Sequence, residues 1–290
     1  MAATAHEQLA LQSLRTSIPW TRPSAPGLGA IALDGLSVRF AGGRGETVAL
    51  ANVDLAIAPG EFVAILGPSG CGKSTLLNVI AGFEHPSAGR VLVDGAPVTA
   101  PGPERPVVFQ QHSLFPWMTA LDNVAFGLRM AGQASARERA RHYLGLVGLA
   151  DFHHRYPHEL SGGMQQRVGL ARALAVEPSI LLMDEPFGAL DAQTRVLMQE
   201  QLLRLWEQWR HTVVFVTHDI DEAIFLADRI MVFGLLPNVL CGAFDVDLPR
   251  PRGRGARASA CYQGLYDALF DLIRQESLKT FGAADTVTAS

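Results

Sequence analysis

The sequence predicts an α/β fold with a helical subdomain inserted into it, and three observations support this prediction. Short apolar runs of strand length alternate with helical patterns along the chain. The middle of the chain, about residues 116–176, is helical. A glycine-rich loop joins a buried strand at residues 61–66 to a helix at residues 73–81. Because alternating strands and helices stack a sheet against helices, we expect a sheet core around a helical insertion.

The other elements follow from local patterns. Strands are predicted at three short apolar or β-branched runs, namely residues 107–109, 180–183 and 212–217. An acid three residues after Thr119 and after Ser135 gives a capping-box pattern at both places, which predicts that a helix begins at each. A further helix has one apolar face, since its large side chains recur at helical spacing: Leu202, Leu205, Trp206 and Trp209.

Composition excludes several classes of protein. Of the 290 residues, 48% are hydrophobic and 18% are charged, which is typical of a globular protein, and the net charge of -4 gives no basic field for nucleic acid. Three scattered cysteines without a CxxC pattern argue against a disulfide framework or a zinc site and favour a reducing compartment. We find no signal-peptide pattern and no run of about 20 apolar residues, so we expect any role at a membrane to come through a partner.

We expect three regions along the chain. Residues 1–30 are expected to form a flexible leader. Residues 31–246 are expected to form the main domain, with its helical subdomain at about 112–176, and residues 247–290 a linker and a C-terminal helix. An amphipathic pattern at residues 263–277 predicts that this helix docks on the core. Residues 253–257 predict a flexible basic loop, for which a solvated linker is favoured over lipid or nucleic-acid binding.

The strongest functional motif is the glycine-rich loop itself. It matches G-x-x-x-x-G-K-[ST] in full, and the probability of a chance match somewhere in such a chain is on the order of one per cent. Glycine lets the backbone curl so that N–H groups point at phosphate oxygens, and the helix that begins there adds its positive dipole end. Lys73 is expected to neutralise the β- and γ-phosphates, and Ser74 to hold Mg²⁺ through its hydroxyl. The predicted phosphate-binding residues are Gly67, Pro68, Ser69, Gly70, Cys71, Gly72, Lys73, Ser74 and Thr75.

Two acids end the apolar strand at residues 180–183. Asp184 and Glu185 are expected at the carboxyl edge of the sheet, where α/β folds bind their ligands. Asp184 would orient Mg²⁺ through water, and Glu185 would accept a proton from an attacking water. An ordinary acidic strand end is the alternative, which the nearby phosphate-binding loop disfavours.

A second anion-binding helix start is predicted at Ser161, Gly162 and Gly163, within the run LSGGMQQR. Taken alone, this pattern is equally compatible with a plain helix cap. One chain with two predicted phosphate-binding helix starts requires an explanation.

Together these segments resemble the ATP-binding-cassette family of transporter ATPases, over residues 31–233. The resemblance implies an ATP-binding-cassette core, an antiparallel β-subdomain and an inserted helical subdomain. In that family two subunits face head to tail, and each ATP lies between one subunit's phosphate-binding loop and the other's signature. The resemblance therefore implies that Ser161, Gly162 and Gly163 serve the ATP bound by a partner subunit, which accounts for the second anion site.

The resemblance assigns further roles. Gln110 matches the family's Q-loop, near Mg²⁺ at the junction to the helical subdomain, so ATP and Mg²⁺ are the expected cofactors, with Ser74, Gln110 and Asp184 around the metal. Asp191 matches the D-loop, which contacts the partner subunit, and His218 matches the histidine that contacts the γ-phosphate. Glu185, His218 and Gln110 are thus the predicted catalytic residues. Phe40 stands where the family places an adenine-stacking tyrosine, with core packing as the alternative.

The loop after Gln110 refines the resemblance. Its Pro116-Trp117, followed by Asp122-Asn123-Val124, is similar to the nitrate, sulfonate and taurine importer branch. This implies a homodimer or paired ATPase subunits on the cytoplasmic face of the inner membrane, a transmembrane permease, indirectly a periplasmic substrate-binding protein, and no nucleic acid. Residues 115–118 are candidates for the permease contact, with packing inside the subdomain as the alternative. Two other readings stay open: a soluble cassette ATPase outside transport, and a nucleotide-binding regulator without hydrolysis.

Overall fold

The computed structural model describes residues 28–42, 45–110, 113–235 and 239–287. The predicted leader lies outside these residues except for its last three. Within them the strands are β1 (Ile31–Gly42), β2 (Gly45–Ile57), β3 (Phe62–Leu66), β4 (Ala88–Val93), β5 (Ala96–Pro97), β6 (Val107–Val108), β7 (Ile180–Asp184), β8 (Thr212–Thr217), β9 (Arg229–Phe233) and β10 (Leu240–Asp245). The helices are α1 (Lys73–Ala81), α2 (Ala120–Met130), α3 (Ala136–Leu146), α4 (Gly162–Ala175), α5 (Ala192–Trp209), α6 (Ile220–Leu226) and α7 (Ala260–Val287).

The described strands form two sheets. A four-stranded antiparallel sheet has the order β2-β1-β4-β5, and a six-stranded sheet has the order β10-β9-β3-β8-β7-β6. In the second sheet only β10 pairs antiparallel, and the other described pairs are parallel. The predicted α/β fold with an antiparallel β-subdomain is confirmed.

Alternate residues of β3 face two different cores. Phe62, Ala64 and Leu66 pack with the helices on one side, whereas Val63 and Ile65 pack with α1 and the antiparallel sheet on the other. Successive side chains of a strand point to opposite faces, so a strand covered on both faces must be apolar throughout. This explains why the run at 61–66 shows no alternation of apolar and polar residues.

The carboxyl ends of the central strands bring the chemistry together. The phosphate-binding loop follows β3, Asp184 ends β7 and Thr217 ends β8. Since β3 pairs with β8 and β8 with β7, all in parallel, these three ends lie along one edge of the sheet. The edge is therefore the natural place for a ligand.

The inserted subdomain consists of α2, α3 and α4, which pack on one another. Thr119 caps α2 as predicted, since its hydroxyl accepts a hydrogen bond from the Asp122 amide at 3.1 Å. The helix start predicted at Ser135 is also confirmed, since α3 begins at Ala136, but the Ser135 side chain makes no cap hydrogen bond. Its backbone, at φ −87° and ψ 16°, lacks the extended conformation that turns a capping hydroxyl towards the first turn.

The C-terminal region packs on the core through α7. Tyr262, Leu265, Leu269 and Leu272 of this helix are buried, which agrees with the predicted docking. The prediction of a flexible solvated loop at residues 253–257 is wrong, because Arg254–Ala258 forms a short 3₁₀ helix and the Arg257 guanidinium lies over the Phe225 ring. The predicted apolar face of α5 is also present: Leu202, Leu205 and Trp206 are buried, and Trp209 packs against them.

None of the described helices combines the length and the hydropathy that crossing a membrane requires. The domain boundaries near residues 30 and 246 stay predictions.

Candidate nucleotide-binding site

The loop between β3 and α1 has the backbone that its glycines permit. Gly70 and Gly72 have φ of +82° and +93°, and a Cβ on Gly72 would lie 2.5 Å from the Ala49 carbonyl oxygen. A Cβ on Gly67 would lie 2.2 Å from the Phe233 carbonyl oxygen. Side chains are thus excluded by the sheets around the loop, and the loop backbone itself forms the binding surface.

Lys73 occupies the centre of this loop. Its buried ammonium donates hydrogen bonds to the carbonyl oxygens of Gly67 and Pro68, each at 2.8 Å. The amides of Lys73, Ser74 and Thr75 belong to the first turn of α1, whose N–H groups have no partner inside a helix. A cation and free amides at a helix start together bind an anion such as a phosphate.

Cys71 fills space beneath the loop. Its side chain is buried, its Sγ lies 3.8 Å from Lys73 Nζ, and burial raises the pKa of the thiol. A buried protonated thiol is a poor nucleophile.

Asp184 and Ser74, the predicted metal ligands, lie at the end of β7 and in the first turn of α1. Burial raises the pKa of Asp184, hydrogen bonding from the Ser74 side chain and the charge of Lys73 oppose the rise, and the neighbouring Glu185 carboxylate adds to it. Hard oxygen donors of this kind fit Mg²⁺, which takes one or two protein groups and completes its shell with phosphate and water. No group of three His, Cys, Asp or Glu side chains that could hold a metal occurs in the described ranges.

The three predicted catalytic residues meet at one atom. Gln110 donates a hydrogen bond from Nε2 to Glu185 Oε2 at 3.2 Å, and His218 Nδ1 lies 3.1 Å from the same oxygen. Glu185 has a left-handed backbone, with φ +45°, and its amide donates to the Val216 carbonyl oxygen at 2.9 Å. A non-glycine residue in this conformation costs energy, and such strain is concentrated at functional sites.

The residues predicted for the partner's nucleotide lie on other surfaces. Ser161 caps α4 by accepting from the Met164 amide, and Asp191 caps α5 by accepting from the amides of Gln193 and Thr194. Those backbone bonds lower the pKa of Asp191. Both side chains are exposed and make local hydrogen bonds, so the plain-cap interpretation is also satisfied within one chain.

Two other predicted binding residues have different surroundings. Gly163 approaches the D-loop, since a Cβ there would lie 2.9 Å from Leu190 Cδ2. Phe40 is partly exposed on β1, opposite Thr47, so core packing does not account for it.

A buried polar cluster behind His218 was not predicted. It consists of Thr217 on β8, Glu222 on α6 and Gln199 on α5, all buried. Asp219 precedes Glu222 by three residues and caps α6 by accepting from its amide at 3.1 Å. That spacing is a helix-start signal, but sequence spacing alone cannot show that the acid points inward.

Comparison with known proteins gives consistent matches. The family described as ABC transporter matches residues 50–188. The chain is 47% identical over 233 residues to the nitrate import ATP-binding protein NrtD of Synechococcus elongatus, which covers 79% of this chain and 85% of that one. It is 50% identical over 222 residues to the taurine import ATP-binding protein TauB of Burkholderia thailandensis. That match covers 76% of this chain and 85% of the relative. A solved dimeric ATP-binding cassette in a post-hydrolysis state, bound to ADP and Pi, matches with a TM-score of 0.68 at 36% identity, over 77% of this chain and 99% of the other.

Sequence similarity and fold lead to one assignment. Identity near one half extends over most of both chains, and the solved cassette matches over 77% of this chain. The site adds a phosphate-binding loop and a carboxylate at the edge of the same sheet. The chain therefore belongs to the ABC transporter family and is one of its ATP-hydrolysing subunits.

Proposed function

We propose that this chain supplies the energy for an importer of small anions of the nitrate or sulfonate type, with taurine among the sulfonates. The observation that carries the proposal is the identity of about one half with ATP-binding proteins of nitrate and taurine import. The residues at the site support the ATPase part, since the hydrolytic groups are all present.

Hydrolysis at this site depends on positioning and charge. Lys73 and the first amides of α1 would hold the β- and γ-phosphates, and Ser74, Gln110 and Asp184 would hold the metal. When bound, Mg²⁺ neutralises charge on the phosphate oxygens. Glu185 then accepts the proton of the attacking water, and His218 contacts the γ-phosphate from the next strand.

The chain acts as a dimer in this proposal. Ser161, Gly162 and Asp191 are exposed, and Ser161 and Asp191 bond only to neighbouring amides where the structure describes them, so they are available to a partner subunit's ATP. The dimeric cassette that matches this fold supports a pair of subunits. Binding of ATP between two subunits would close them, and hydrolysis would let them open.

A rigid aromatic surface is the proposed contact with a transmembrane permease. The Trp117 side chain is 70% exposed, and its ring centroid lies 5.6 Å from that of Phe115. Phe115 is fixed by Phe126, at 4.8 Å between centroids, and by the Arg172 guanidinium above its ring. The alternative, packing inside the subdomain, fits Phe115 but not Trp117, whose side chain is exposed. An exposed aromatic on a fixed support is typical of a binding hot spot.

Asn123 holds this surface in place. Its side chain is fully buried, accepts from the Phe115 amide at 2.8 Å, and donates to the carbonyl oxygens of Phe115, Met118 and Thr119. The loop is therefore ordered before any partner binds, which lowers the entropic cost of association. In this arrangement the subunit sits peripherally on the cytoplasmic face of the inner membrane, and a periplasmic substrate-binding protein communicates with it only through the permease.

The experiment is growth and uptake by cells that lack this chain. Taurine or another sulfonate as the sole sulfur source, and nitrate as the sole nitrogen source, are supplied in separate cultures. The wild-type chain should restore growth on one of them, and Glu185→Gln should not. A second arm recovers the tagged Glu185→Gln chain with ATP from native membranes. If cells that lack the chain grow normally on every source, and only soluble proteins are recovered with the tagged chain, the importer is rejected in favour of a soluble cassette ATPase.

A further inference from the structure

The polar cluster behind His218 is a continuous chain of hydrogen bonds. Gln199 Nε2 donates to Glu222 Oε1 at 3.1 Å, and the Thr217 hydroxyl donates to Glu222 Oε2 at 2.7 Å. The Asp219 amide donates to Thr217 Oγ1 at 3.0 Å. The exposed fractions of Gln199 and Glu222 are only 2% and 5%, so water does not compete for these bonds.

The chain of bonds begins outside the core. Arg257, in the 3₁₀ helix before α7, donates from Nη2 to Gln199 Oε1 at 3.3 Å, with its guanidinium 5.3 Å from the centroid of Phe225. The Gln199 amide therefore lies between a cation and a carboxylate. Flipping it would set oxygen against carboxylate and N–H groups against guanidinium, so its orientation is fixed.

The other end of this series of hydrogen bonds is the turn around His218. Thr217 and Asp219 are the residues on either side of His218, and the hydrogen bond between them closes a turn around it. The His218 side chain is 67% exposed, so packing does not hold the ring 3.1 Å from Glu185. Its position depends on the backbone of this turn, and the turn is held by Glu222.

The charge of Glu222 needs the cations around it. Burial raises the pKa of Glu222 above its ordinary value and the Asp219 carboxylate adds to the rise, while the hydrogen bonds from Thr217 and Gln199 and the charge of Arg195 oppose it. Arg195 Nε lies 4.0 Å from Glu222 Oε1, and Arg257 acts through the Gln199 amide. An uncompensated buried carboxylate is costly, so loss of Arg257 would disturb the cluster and not only the surface.

The C-terminal region holds α6 at two further points. Tyr262 on α7 donates to Asp221 Oδ1 at 2.6 Å. The buried guanidinium of Arg252 donates to the carbonyl oxygens of Ile224, Phe225 and Ala227 at the end of α6. Arg257, Tyr262 and Arg252 all lie outside residues 50–188, the region that the family matches.

We propose that Arg257, Gln199, Glu222 and Thr217 form a positioning relay for His218, through which docking of the C-terminal region sets the rate of ATP hydrolysis. The inference rests on the proposed role of His218 in hydrolysis. None of the four is placed in contact with ATP, so they are positioning residues. Their loss should lower kcat and leave ATP affinity unchanged.

The test is a double-mutant comparison of steady-state hydrolysis. Thr217→Val and Arg257→Ala are each made in the wild-type chain and in His218→Ala, with the ATP Kd and the melting temperature measured for every variant. In the wild-type chain each should lower kcat by roughly tenfold, within the hundredfold that a displacement of about 1 Å can cost. In His218→Ala neither should lower kcat by more than about twofold, because a residue that acts through His218 has nothing left to position.

Two further variants complete the design. Thr217→Ser keeps the hydroxyl and should recover most of the rate lost in Thr217→Val. Arg274→Ala removes an exposed guanidinium from α7 and is the matched control for Arg257→Ala. If Thr217→Val does not fold, Glu222→Gln tests the same link in both backgrounds.

The outcomes separate the relay from the role of His218. Equal losses in both backgrounds would mean that the residues support the fold generally, and would overturn the relay. If the kcat of Arg257→Ala is within twofold of the kcat of Arg274→Ala, docking of the C-terminal region does not set the rate of hydrolysis. Wild-type hydrolysis in His218→Ala itself would instead reject the proposed role of His218.

Discussion

Replacing Glu185 by Gln separates the chemistry of hydrolysis from the geometry of the site. Glu185 Oε2 accepts from Gln110 at 3.2 Å and lies 3.1 Å from His218 Nδ1. The side-chain carbonyl oxygen of a glutamine can accept hydrogen bonds from both Gln110 and His218, and the left-handed backbone of the residue is unchanged. The substitution therefore removes the proton acceptor and little else, so the free energy of unfolding should change by less than about 1 kcal/mol.

The loss of the base should cost a factor of about 10² to 10⁴ in kcat. At about 1.4 kcal/mol for each tenfold, this raises the activation free energy by roughly 3 to 5 kcal/mol. ATP binding should persist, because Lys73 and the α1 amides are untouched, and a closed dimer should accumulate with ATP.

Phosphate release at saturating ATP measures the rate, and size-exclusion chromatography with ATP measures the dimer. Glu138→Gln, an exposed position on α3, is the matched control. Hydrolysis by Glu185→Gln within about twofold of that control would show that this carboxylate is not the general base.

Three other outcomes are expected. Lys73→Ala should weaken ATP binding at least about tenfold in calorimetry, since a charge-assisted hydrogen bond contributes roughly 1.5–3 kcal/mol; an unchanged Kd would contradict the phosphate-binding role. Asn123→Ala should speed hydrogen exchange at the Phe115 amide, which loses its buried acceptor at 2.8 Å; unchanged protection would mean that the loop is held by other contacts. Iodoacetamide should modify exposed Cys261 well before Cys71, whose thiol is buried with a raised pKa; equal labelling rates would refute the packing described for the loop.

Much of the site could be predicted because its conformation is local. The run from Gly67 to Ser74 contains both the glycines that permit its turns and the start of the helix that follows, so residue order alone indicates phosphate binding. The predicted helix at residues 73–81 and the strand at residues 212–217 have the observed bounds. Apolar runs of that length between breakers leave few alternatives.

Sequence is less informative where several geometries satisfy one pattern. Ser135 starts a helix, as its spacing to an acid predicts, but unlike Thr119 it makes no capping hydrogen bond, because its backbone angles turn the hydroxyl away. The basic run at residues 253–257 reads as a solvated loop, since sequence does not show the aromatic ring and the amide that Arg257 meets.

The sequence by itself determined the family, the phosphate-binding loop and the identity of the acid beside it, because each depends on residues adjacent in the chain. Only the tertiary structure decided that Gln110 and His218 meet on one oxygen of Glu185. It also decided that a C-terminal arginine reaches the turn around that histidine through two buried side chains. Such contacts depend on the parallel register of strands distant in sequence and on how α5, α6 and the C-terminal region pack, which no local pattern specifies.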